Sequence, residues 1–386
     1  MLDAAELPDV QAEPDDYRRF CIESRSWLEE YVLFDALAAR CKAPWWEWPT
    51  PYRSRDSTAL GEFAITEAAA LESRRITQWQ FDRQWRALRR HAAARGVFMF
   101  GDLPIYVAPD SVATWAHPEQ FQLTAEGRPA LLAGVPPDYF SADGQLWGNP
   151  LYNWEQAERD GFAFWRARMR QALQRFDLVR IDHFRGLAAY WAVPANARTA
   201  REGHWLPAPG HALFQALLAE HAALPVVAED LGLITEDVHE LRRAFHLPGM
   251  RVLQFGFDGS RDNPHLPHNY DHDVVAYTGT HDNDTTVGWY RALDVERAQR
   301  VQLYLDTPAG RVPESMMRAC LASVGHLAIL PAQDLLQLDS SARFNTPGTA
   351  EGNWTWRLPA GSLTRELGLH FRELNRIFDR MPGALS

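Results

Sequence analysis

Two charged residues stand at the end of a short apolar segment in the middle of the chain, and their types and spacing could support chemistry. Residues 176–182 alternate between apolar and polar side chains, which predicts a short buried strand. Arg180 and Asp182 are two positions apart, so both side chains point to one face of that strand. A buried strand end holds such charges only where they are paired or used. The pair is therefore either a structural ion pair or part of an active site.

Three more acidic residues, Asp102, Glu229 and Asp282, follow runs that also predict strands. In a parallel α/β barrel the carboxyl ends of the strands form the rim on which active sites lie. Several carboxyl groups on one rim suit the cleavage of a glycosidic bond. One attacks the anomeric carbon, one donates a proton to the leaving oxygen, and another holds sugar hydroxyls. Arg180 would keep Asp182 ionised, and His281 would suit contact with a hydroxyl.

The elements that must position these residues alternate between strand and helix, which favours a parallel sheet in an α/β fold. Six strands are expected, the first of them beginning at Val97. Residues 12–95 have the helical spacing of apolar residues and predict a mostly helical insertion. Residues 133–151 read as a long loop rich in glycine, proline and aromatic residues, which favours a lid over a groove. We expect residues 1–386 to form one domain.

Composition narrows the class of protein. A formal charge of -11 argues against nucleic acid and against an anionic membrane surface as partners, and no apolar run is long enough to span a membrane. The start of the chain lacks the pattern of a signal peptide, and the three cysteines are few and far apart, so we expect reduced thiols and a cytoplasmic location. The 15 tryptophans suit both core packing and stacking on sugar rings.

Several motifs resemble those of the amylomaltases, or 4-alpha-glucanotransferases, of glycoside hydrolase family 77, over nearly the whole chain. The similar runs that carry charged residues are GDLPIYV (101–107), RIDHFRG (180–186), AEDLG (228–232) and GTHDN (279–283). The other similar runs are GVPPDYFS (134–141), WGNP (147–150) and EGNW (351–354). The charged motifs alone would indicate the wider amylase clan, whereas the AEDLG and GVPPDYFS runs point to the amylomaltase branch.

The resemblance implies a TIM-type (β/α)8 barrel with inserted helical subdomains. It also implies transfer of alpha-1,4-glucan segments to the 4-hydroxyl of glucose or a maltooligosaccharide, by a retaining double displacement through a covalent glycosyl-aspartate. In that mechanism Asp182 is the nucleophile, Glu229 the general acid/base and Asp282 the stabiliser of the transition state. The first two strands of such a barrel have no match here, so we expect an N-terminally incomplete barrel.

The same resemblance implies the residues that hold the sugar. These residues all lie in or beside the similar motifs. They are Arg180, His281, Asp102, Tyr139, Gln145, Trp147 and Asn353. The expected partners are alpha-1,4-glucans, namely maltooligosaccharides and the dextrins of starch or glycogen, together with glucose. No metal and no organic cofactor is expected, because the carboxyl groups suffice for the chemistry.

Other interpretations remain open on the sequence alone. The chain could be an alpha-glucan hydrolase that uses the same acids with water as the acceptor, or a non-catalytic glucan-binding fragment. On spacing alone, Asp102 could cap a turn, and for Asp282 a turn or helix cap is as good an explanation as catalysis. A metalloprotein is a further alternative, because four histidines lie close in sequence to Asp271 and Asp273, namely His265, His268, His272 and His281, but their spacing matches no standard ligand pattern. The tryptophan cluster at residues 44–49 could be a sugar platform, although packing is the commoner role.

Overall fold

The computed structural model describes residues 13–137, 141–349 and 351–381, which divide into two compact units at the boundary between Pro225 and Val226. The strands are Phe100–Pro104 (β1), Leu131–Val135 (β2), Gln145–Pro150 (β3), Leu178–Asp182 (β4), Ala189–Pro194 (β5), His204–Pro207 (β6), Val226–Ala228 (β7), Gly249–Val252 (β8), Val274–Tyr277 (β9) and Leu327–Ile329 (β10). The prediction of a single domain over residues 1–386 stays a prediction.

Helices separate most of these strands. They are Pro14–Glu23 (α1), Arg25–Cys41 (α2), Thr50–Arg53 (α3), Ser57–Thr66 (α4), Ala68–Ala93 (α5), Val112–Ala116 (α6), Trp154–Arg159 (α7), Ala163–Arg175 (α8), Gly210–Leu218 (α9), Glu236–Ala244 (α10), Thr286–Arg291 (α11), Val295–Leu305 (α12), Val312–Ala322 (α13), Ala332–Leu335 (α14) and Arg365–Ile377 (α15). No helix in the described part of the chain is long and apolar enough to cross a membrane.

The first unit begins with the helices α1 to α5, so the prediction of a mostly helical segment over 12–95 is confirmed for the described residues. Their shared core is rich in aromatic side chains, and Trp45 and Trp48 of the tryptophan cluster are buried in it at 3% and 2% exposure. The indole of Trp45 donates to the Pro109 carbonyl, and that of Trp48 donates to the Ala43 carbonyl. These two rings are therefore packing residues.

The strands that carry the candidate residues of the first unit are parallel, as predicted. β1 pairs with β4 in a register that places Asp102 opposite Arg180 and Pro104 opposite Asp182. β4 is short and rich in β-branched residues, and it is buried on one face at Val179 and Ile181 and on the other at Arg180, as expected for a strand of a parallel sheet. The alternation of its side chains sends Arg180 and Asp182 to the same face.

An antiparallel sheet of four strands in the order β3-β2-β5-β6 was not predicted from the sequence. The prediction that residues 133–151 form a long irregular loop is wrong for residues 133–135 and 145–150, because these belong to β2 and β3, which pair as an antiparallel hairpin. Glycine and proline within this segment concealed the strands: Gly134 faces the Gln145 carbonyl so closely that a Cβ would lie 2.3 Å from it. Residues 138–140 of this segment lie outside the described residues.

The second unit contains the other parallel strands. β8 pairs with β9, and β9 pairs with β10, both in parallel. The predicted strand at 251–257 is shorter than expected, since β8 ends at Val252 and a 3-10 turn, Leu253–Gly256, follows it. The helix predicted at 313–324 is present as α13, and the helix predicted after residue 363 is present as α15. The structure is therefore a mixed α/β fold in which β1 and β4, and β8, β9 and β10, are parallel.

Candidate active site

An arginine bridges two carboxylates at the paired ends of β1 and β4. The Arg180 guanidinium donates from Nη1 to both carboxylate oxygens of Asp102, at 2.7 and 2.8 Å, and from Nη2 to Oδ1 of Asp182 at 2.7 Å. The arginine side chain is 9% exposed, whereas both carboxylates are 44% exposed. The buried guanidinium therefore fixes the orientation of two carboxylates that remain partly exposed to solvent. An ion pair with a purely structural role does not need exposed carboxylates.

The chain turns sharply directly after Asp182. His183 has a φ of 51°, in the left-handed region that few residues other than glycine adopt, and the 3-10 turn Phe184–Leu187 follows it. The third position of this turn, Gly186, is tightly packed, since a Cβ there would lie 2.7 Å from Cδ1 of Ile105 and 3.2 Å from Cδ2 of His183. A conformation of this kind persists where its surroundings enforce it, and such places are often functional.

The imidazole of His183 packs among aromatic rings. Its centroid lies 4.8 Å from that of Trp147, edge to face, and 6.4 Å from that of Tyr106. Burial lowers the pKa of His183 to about 4, with a smaller opposing effect from Asp182, so the ring is neutral at pH 7. The sequence motif contained His183, but only the ring contacts indicate its relation to Trp147.

Trp147 is the most exposed ring of this group, at 36%. Its indole Nε1 donates to Oε1 of Gln145 at 3.1 Å, and Gln145 is the first residue of β3. The glutamine therefore sets the orientation of the indole, and the indole presents a face that can stack on a sugar. Tyr139, which we predicted to bind the sugar together with Gln145 and Trp147, lies outside the described residues.

Glu229 and Asp230 follow β7 and have different surroundings. Glu229 is 9% exposed, and its Oε1 accepts the backbone N–H of Leu231 at 3.1 Å. Asp230 is more deeply buried and accepts the backbone N–H of Met250 at 2.6 Å, besides the guanidinium of Arg251 at 3.3 Å. These contacts make Asp230 a structural residue.

Asp282 lies five residues beyond β9 and is held by a distant segment. Its Oδ1 accepts from Nδ2 of Asn345 at 2.6 Å, and its backbone carbonyl accepts from Nη2 of Arg343 at 2.8 Å. Nε2 of His281 lies 3.5 Å from Oδ2 of Asp282. The carboxylate remains 41% exposed, so it is positioned without being closed off from a ligand. Nothing in the sequence pointed to Asn345 or Arg343, which are 63 and 61 positions away.

The EGNW run lies beside His281. The Trp354 ring is 52% exposed, and its centroid is 5.3 Å from the imidazole of His281. The side chain of Asn353 is used within its own loop: Oδ1 accepts the N–H of Thr346 at 2.9 Å, and Nδ2 donates to the carbonyl of Thr349 at 3.0 Å. A direct role of Asn353 in sugar binding stays a prediction. The exposed aromatic ring of this loop is that of Trp354.

The histidines behind the metal interpretation have other contacts. Nδ1 of His265 accepts the N–H of Val252 at 3.1 Å, and Nδ1 of His268 is 2.9 Å from the hydroxyl of Tyr304. Within the described residues, no group of three or more His, Cys, Asp or Glu side chains has the arrangement of a metal site.

The two units thus hold two sets of functional groups. The first unit brings together Asp102, Arg180 and Asp182, next to the turn that carries His183. The second unit brings together His281, Asp282 and Trp354, and it holds Glu229 at the end of β7. An ionised, partly exposed aspartate can attack an electrophilic carbon, a buried carboxyl can transfer a proton, and exposed indoles can stack on pyranose rings.

Comparison with known proteins gives these groups a context. The family described as 4-alpha-glucanotransferase matches residues 3–364. The 4-alpha-glucanotransferase of Thermus thermophilus is 50% identical over 364 residues, which are 92% of this chain and 73% of that protein. The 4-alpha-glucanotransferase of Synechocystis is 46% identical over 370 residues, covering 95% of this chain and 73% of that protein.

Solved structures agree with the sequence relatives. The amylomaltase from Streptococcus agalactiae, in complex with acarbose, superposes with a TM-score of 0.92 at 34% identity, covering 96% of this chain and 75% of that one. The amylomaltase from Corynebacterium glutamicum has a TM-score of 0.73 at 18% identity, covering 97% of this chain and 57% of that one, which shows a shared fold.

Proposed function

We propose a mechanism, a set of site residues and a substrate range for this chain, which belongs to the 4-alpha-glucanotransferases of glycoside hydrolase family 77. The chain is a 4-alpha-glucanotransferase: it moves segments of alpha-glucan from a donor to an acceptor. The proposed acceptors are glucose and maltooligosaccharides, and the proposed donors are the alpha-1,4-linked dextrins of starch or glycogen. Acarbose in the Streptococcus agalactiae amylomaltase supports a site that takes oligosaccharides of this kind.

The proposed nucleophile is Asp182. The observation that supports it most is the Arg180 bridge, which aims one carboxylate oxygen and leaves the side chain 44% exposed. Asp182 attacks the anomeric carbon, the bond to the leaving glucan breaks, and a covalent glycosyl-aspartate forms. Asp102 shares the same guanidinium and is proposed to hold sugar hydroxyls.

Glu229 is the proposed general acid/base. Its carboxyl group is buried at the end of β7, and in the first step it donates a proton to the departing glycosidic oxygen. In the second step it accepts the proton of the acceptor's 4-hydroxyl, whose oxygen then attacks the glycosyl-aspartate. Two displacements at the same carbon retain the alpha configuration.

Asp282 is the proposed stabiliser of the positive charge that develops on the sugar ring, and His281 and Arg180 are proposed to line the donor sugar. Asn345 fixes the Asp282 carboxylate and Trp354 packs on His281, so both groups are preorganised for contact with a substrate. Tyr139, Gln145, Trp147 and Asn353 complete the proposed substrate-binding set. We propose that the segment 133–151 acts as a lid that keeps water from the intermediate, with Trp147 as its described aromatic group.

We also propose that the six strands β1, β4, β7, β8, β9 and β10 belong to a TIM-type (β/α)8 barrel, of which the first two strands have no counterpart among the described residues. A cytoplasmic location is proposed on the basis of three free thiols, at Cys21, Cys41 and Cys320.

Incubation with maltotriose tests the function. A disproportionating transferase converts maltotriose into glucose and a ladder of longer maltooligosaccharides, and Asp182→Asn abolishes both products. A hydrolase yields glucose and maltose without longer products. Binding of maltotriose without turnover, with Asp182→Asn indistinguishable from the unmodified chain, would contradict the proposed mechanism and favour a glucan-binding protein.

A further inference from the structure

A buried carboxylate in the second unit joins the two ends of the loop that carries His281 and Asp282. This residue, Asp334, lies on α14 and is 1% exposed. Its Oδ2 accepts the hydroxyl of Thr278 at 2.5 Å and the hydroxyl of Thr286 at 2.7 Å, and its Oδ1 accepts the backbone N–H of Thr286 at 2.7 Å. Thr278 directly follows β9 and Thr286 begins α11, so one carboxylate holds the chain both where the loop begins and where it ends.

Stability alone does not call for a carboxylate at this position. Both threonine side chains are buried at 0% exposure, and the three groups that donate to Asp334 are neutral. Burial of a carboxylate among neutral groups has a desolvation cost that an apolar side chain of the same size would avoid. Hydrogen bonds to a charged group are short and directional, so three of them fix the relative positions of their donors closely. The arrangement therefore sets geometry.

A second contact acts on the middle of the same loop. Asn345 donates from Nδ2 to Oδ1 of Asp282 at 2.6 Å and from its backbone N–H to the carbonyl of His281 at 3.1 Å. This contact places the Asp282 carboxylate only if the ends of the loop are fixed as well, because a loop whose ends shift carries its middle with it. Asp334 supplies those fixed ends.

We propose that Asp334 is a positioning residue of the transfer reaction, which acts through Thr278 and Thr286 on the loop that presents Asp282 to the sugar. Asp334 is too deeply buried to touch a substrate, so its effect on the reaction passes through the loop. The inference rests on the proposed role of Asp282 as the stabiliser of the transition state. Because that role belongs to the transition state, displacement of the loop lowers kcat and leaves KM nearly unchanged.

Steady-state disproportionation of maltotriose tests this assignment. Asp334→Ala removes all three bonds and is expected to lower kcat about 100-fold, which is the effect of misplacing a catalytic group by about 1 Å, while KM changes less than about threefold. Asp334→Asn is expected to keep kcat within about tenfold of the unmodified chain. Its Nδ2 can donate to both threonine hydroxyls while its Oδ1 accepts the N–H of Thr286, so the loop ends stay joined.

Further variants separate position from stability. Val301→Ala opens a space in the buried core of the second unit, so it is expected to lower the unfolding midpoint and to keep kcat within about twofold. Thr278→Val removes one donor at nearly the same shape, and it tests the junction even where Asp334→Ala does not fold. It is expected to lower kcat about fivefold, the loss of one hydrogen bond, whereas Thr278→Ser keeps the hydroxyl and the rate.

Hydrogen exchange gives a measurement that does not depend on turnover. The N–H of Thr280 donates to Oδ1 of Asn283 at 2.9 Å, and the N–H of Asn283 donates to the carbonyl of Thr280 at 3.2 Å, so both bonds lie inside the loop. Asp334→Ala is expected to speed the exchange of these two amides at least about tenfold, because the loop opens more often once its ends are free. Val301→Ala is expected to leave it unchanged.

Two results would overturn the assignment. One is a folded Asp334→Ala variant whose kcat lies within about threefold of the unmodified chain, or whose exchange at Thr280 and Asn283 is unchanged. The other is an equal loss of kcat in Val301→Ala, because the effect is then one of stability. If Asp282→Asn leaves transfer unchanged, the proposed role of Asp282 fails instead, and the exchange measurement still decides whether Asp334 fixes the loop.

Discussion

Replacing Arg180 with lysine tests how much of the reactivity of Asp182 depends on the bridging guanidinium. Lysine keeps the positive charge but has a single nitrogen at its end, so it cannot reproduce a fork that serves two carboxylates. The arginine makes three bonds of 2.7 to 2.8 Å, two to Asp102 and one to Asp182. We expect the lysine variant to keep a contact with one carboxylate and to leave the other without its partner.

The size of the effect follows from the bond to Asp182. A hydrogen bond to a charged group contributes about 1.5–3 kcal/mol. Since each 1.36 kcal/mol changes a rate tenfold, loss of that bond in the transition state corresponds to a decrease of roughly 10- to 150-fold in kcat/KM. The effect on stability is smaller than for a fully buried ion pair, because both carboxylates are 44% exposed and can be solvated.

The assay is the initial rate of glucose release from maltotriose, measured with the thermal unfolding midpoint of each variant. Arg89→Lys is the matched control, because Arg89 pairs with Asp177 near the start of β4 and contacts no proposed site residue. It is expected to change kcat/KM less than twofold. If Arg180→Lys is folded and its kcat/KM lies within twofold of the unmodified chain, the bridge does not position the nucleophile and the reasoning is refuted.

Three further predictions concern stability, pH and the acceptor. Asp230→Asn leaves two buried arginines without a carboxylate and is expected to lower the free energy of unfolding by about 3 kcal/mol in urea titrations. Burial lowers the pKa of His265 to about 4 from an unfolded value near 6.5, so the folded state binds fewer protons between these values and stability falls as the pH falls from 6.5 to 4. Protonation also removes the acceptor for the Val252 N–H, and His265→Gln should flatten this dependence. Trp147→Ala should raise the fraction of turnovers that end in hydrolysis instead of transfer. It should also lower kcat/KM about tenfold, because that is the loss expected for one aromatic contact.

Each of these predictions has a control and a contrary result. Asp237→Asn, at an exposed position of α10, should cost less than 0.5 kcal/mol, on the order of an ordinary surface change. His326 is exposed, so His326→Gln should leave the dependence of stability on pH unchanged. If His265→Gln had the same pH dependence as the unmodified chain, burial of His265 would not be its cause. Trp147→Phe keeps a ring and should retain transfer, whereas unchanged product ratios in Trp147→Ala would argue against a lid that excludes water.

Local periodicity was sufficient to predict the parallel strands and the acids at their ends. β4 was predictable because its apolar positions alternate with Arg180 and Asp182, and alternation depends only on the geometry of an extended chain. The family's motifs then suggested roles that spacing alone left open at Asp102 and Asp282.

The antiparallel sheet was not predictable in the same way. β2 and β3 contain Gly134, Gly148 and Pro150, which argue locally for a loop, and their strand conformation depends on pairing with β5, more than 50 positions away from β2. Pairing between distant segments overrides local preference because it satisfies the backbone hydrogen bonds that a buried segment must make.

The sequence by itself determined which residue types stand at the strand ends and on which face they point, because both follow from neighbours along the chain. Only the tertiary structure decided what each of those residues contacts. Arg180 meets Asp102 through strand pairing, Asn345 reaches Asp282, and Trp147 packs on His183, all across 36 to 78 positions of sequence. The physical reason is that hydrogen bonds, ion pairs and ring contacts act over a few ångströms, and distant segments come within that range only when the chain packs its core.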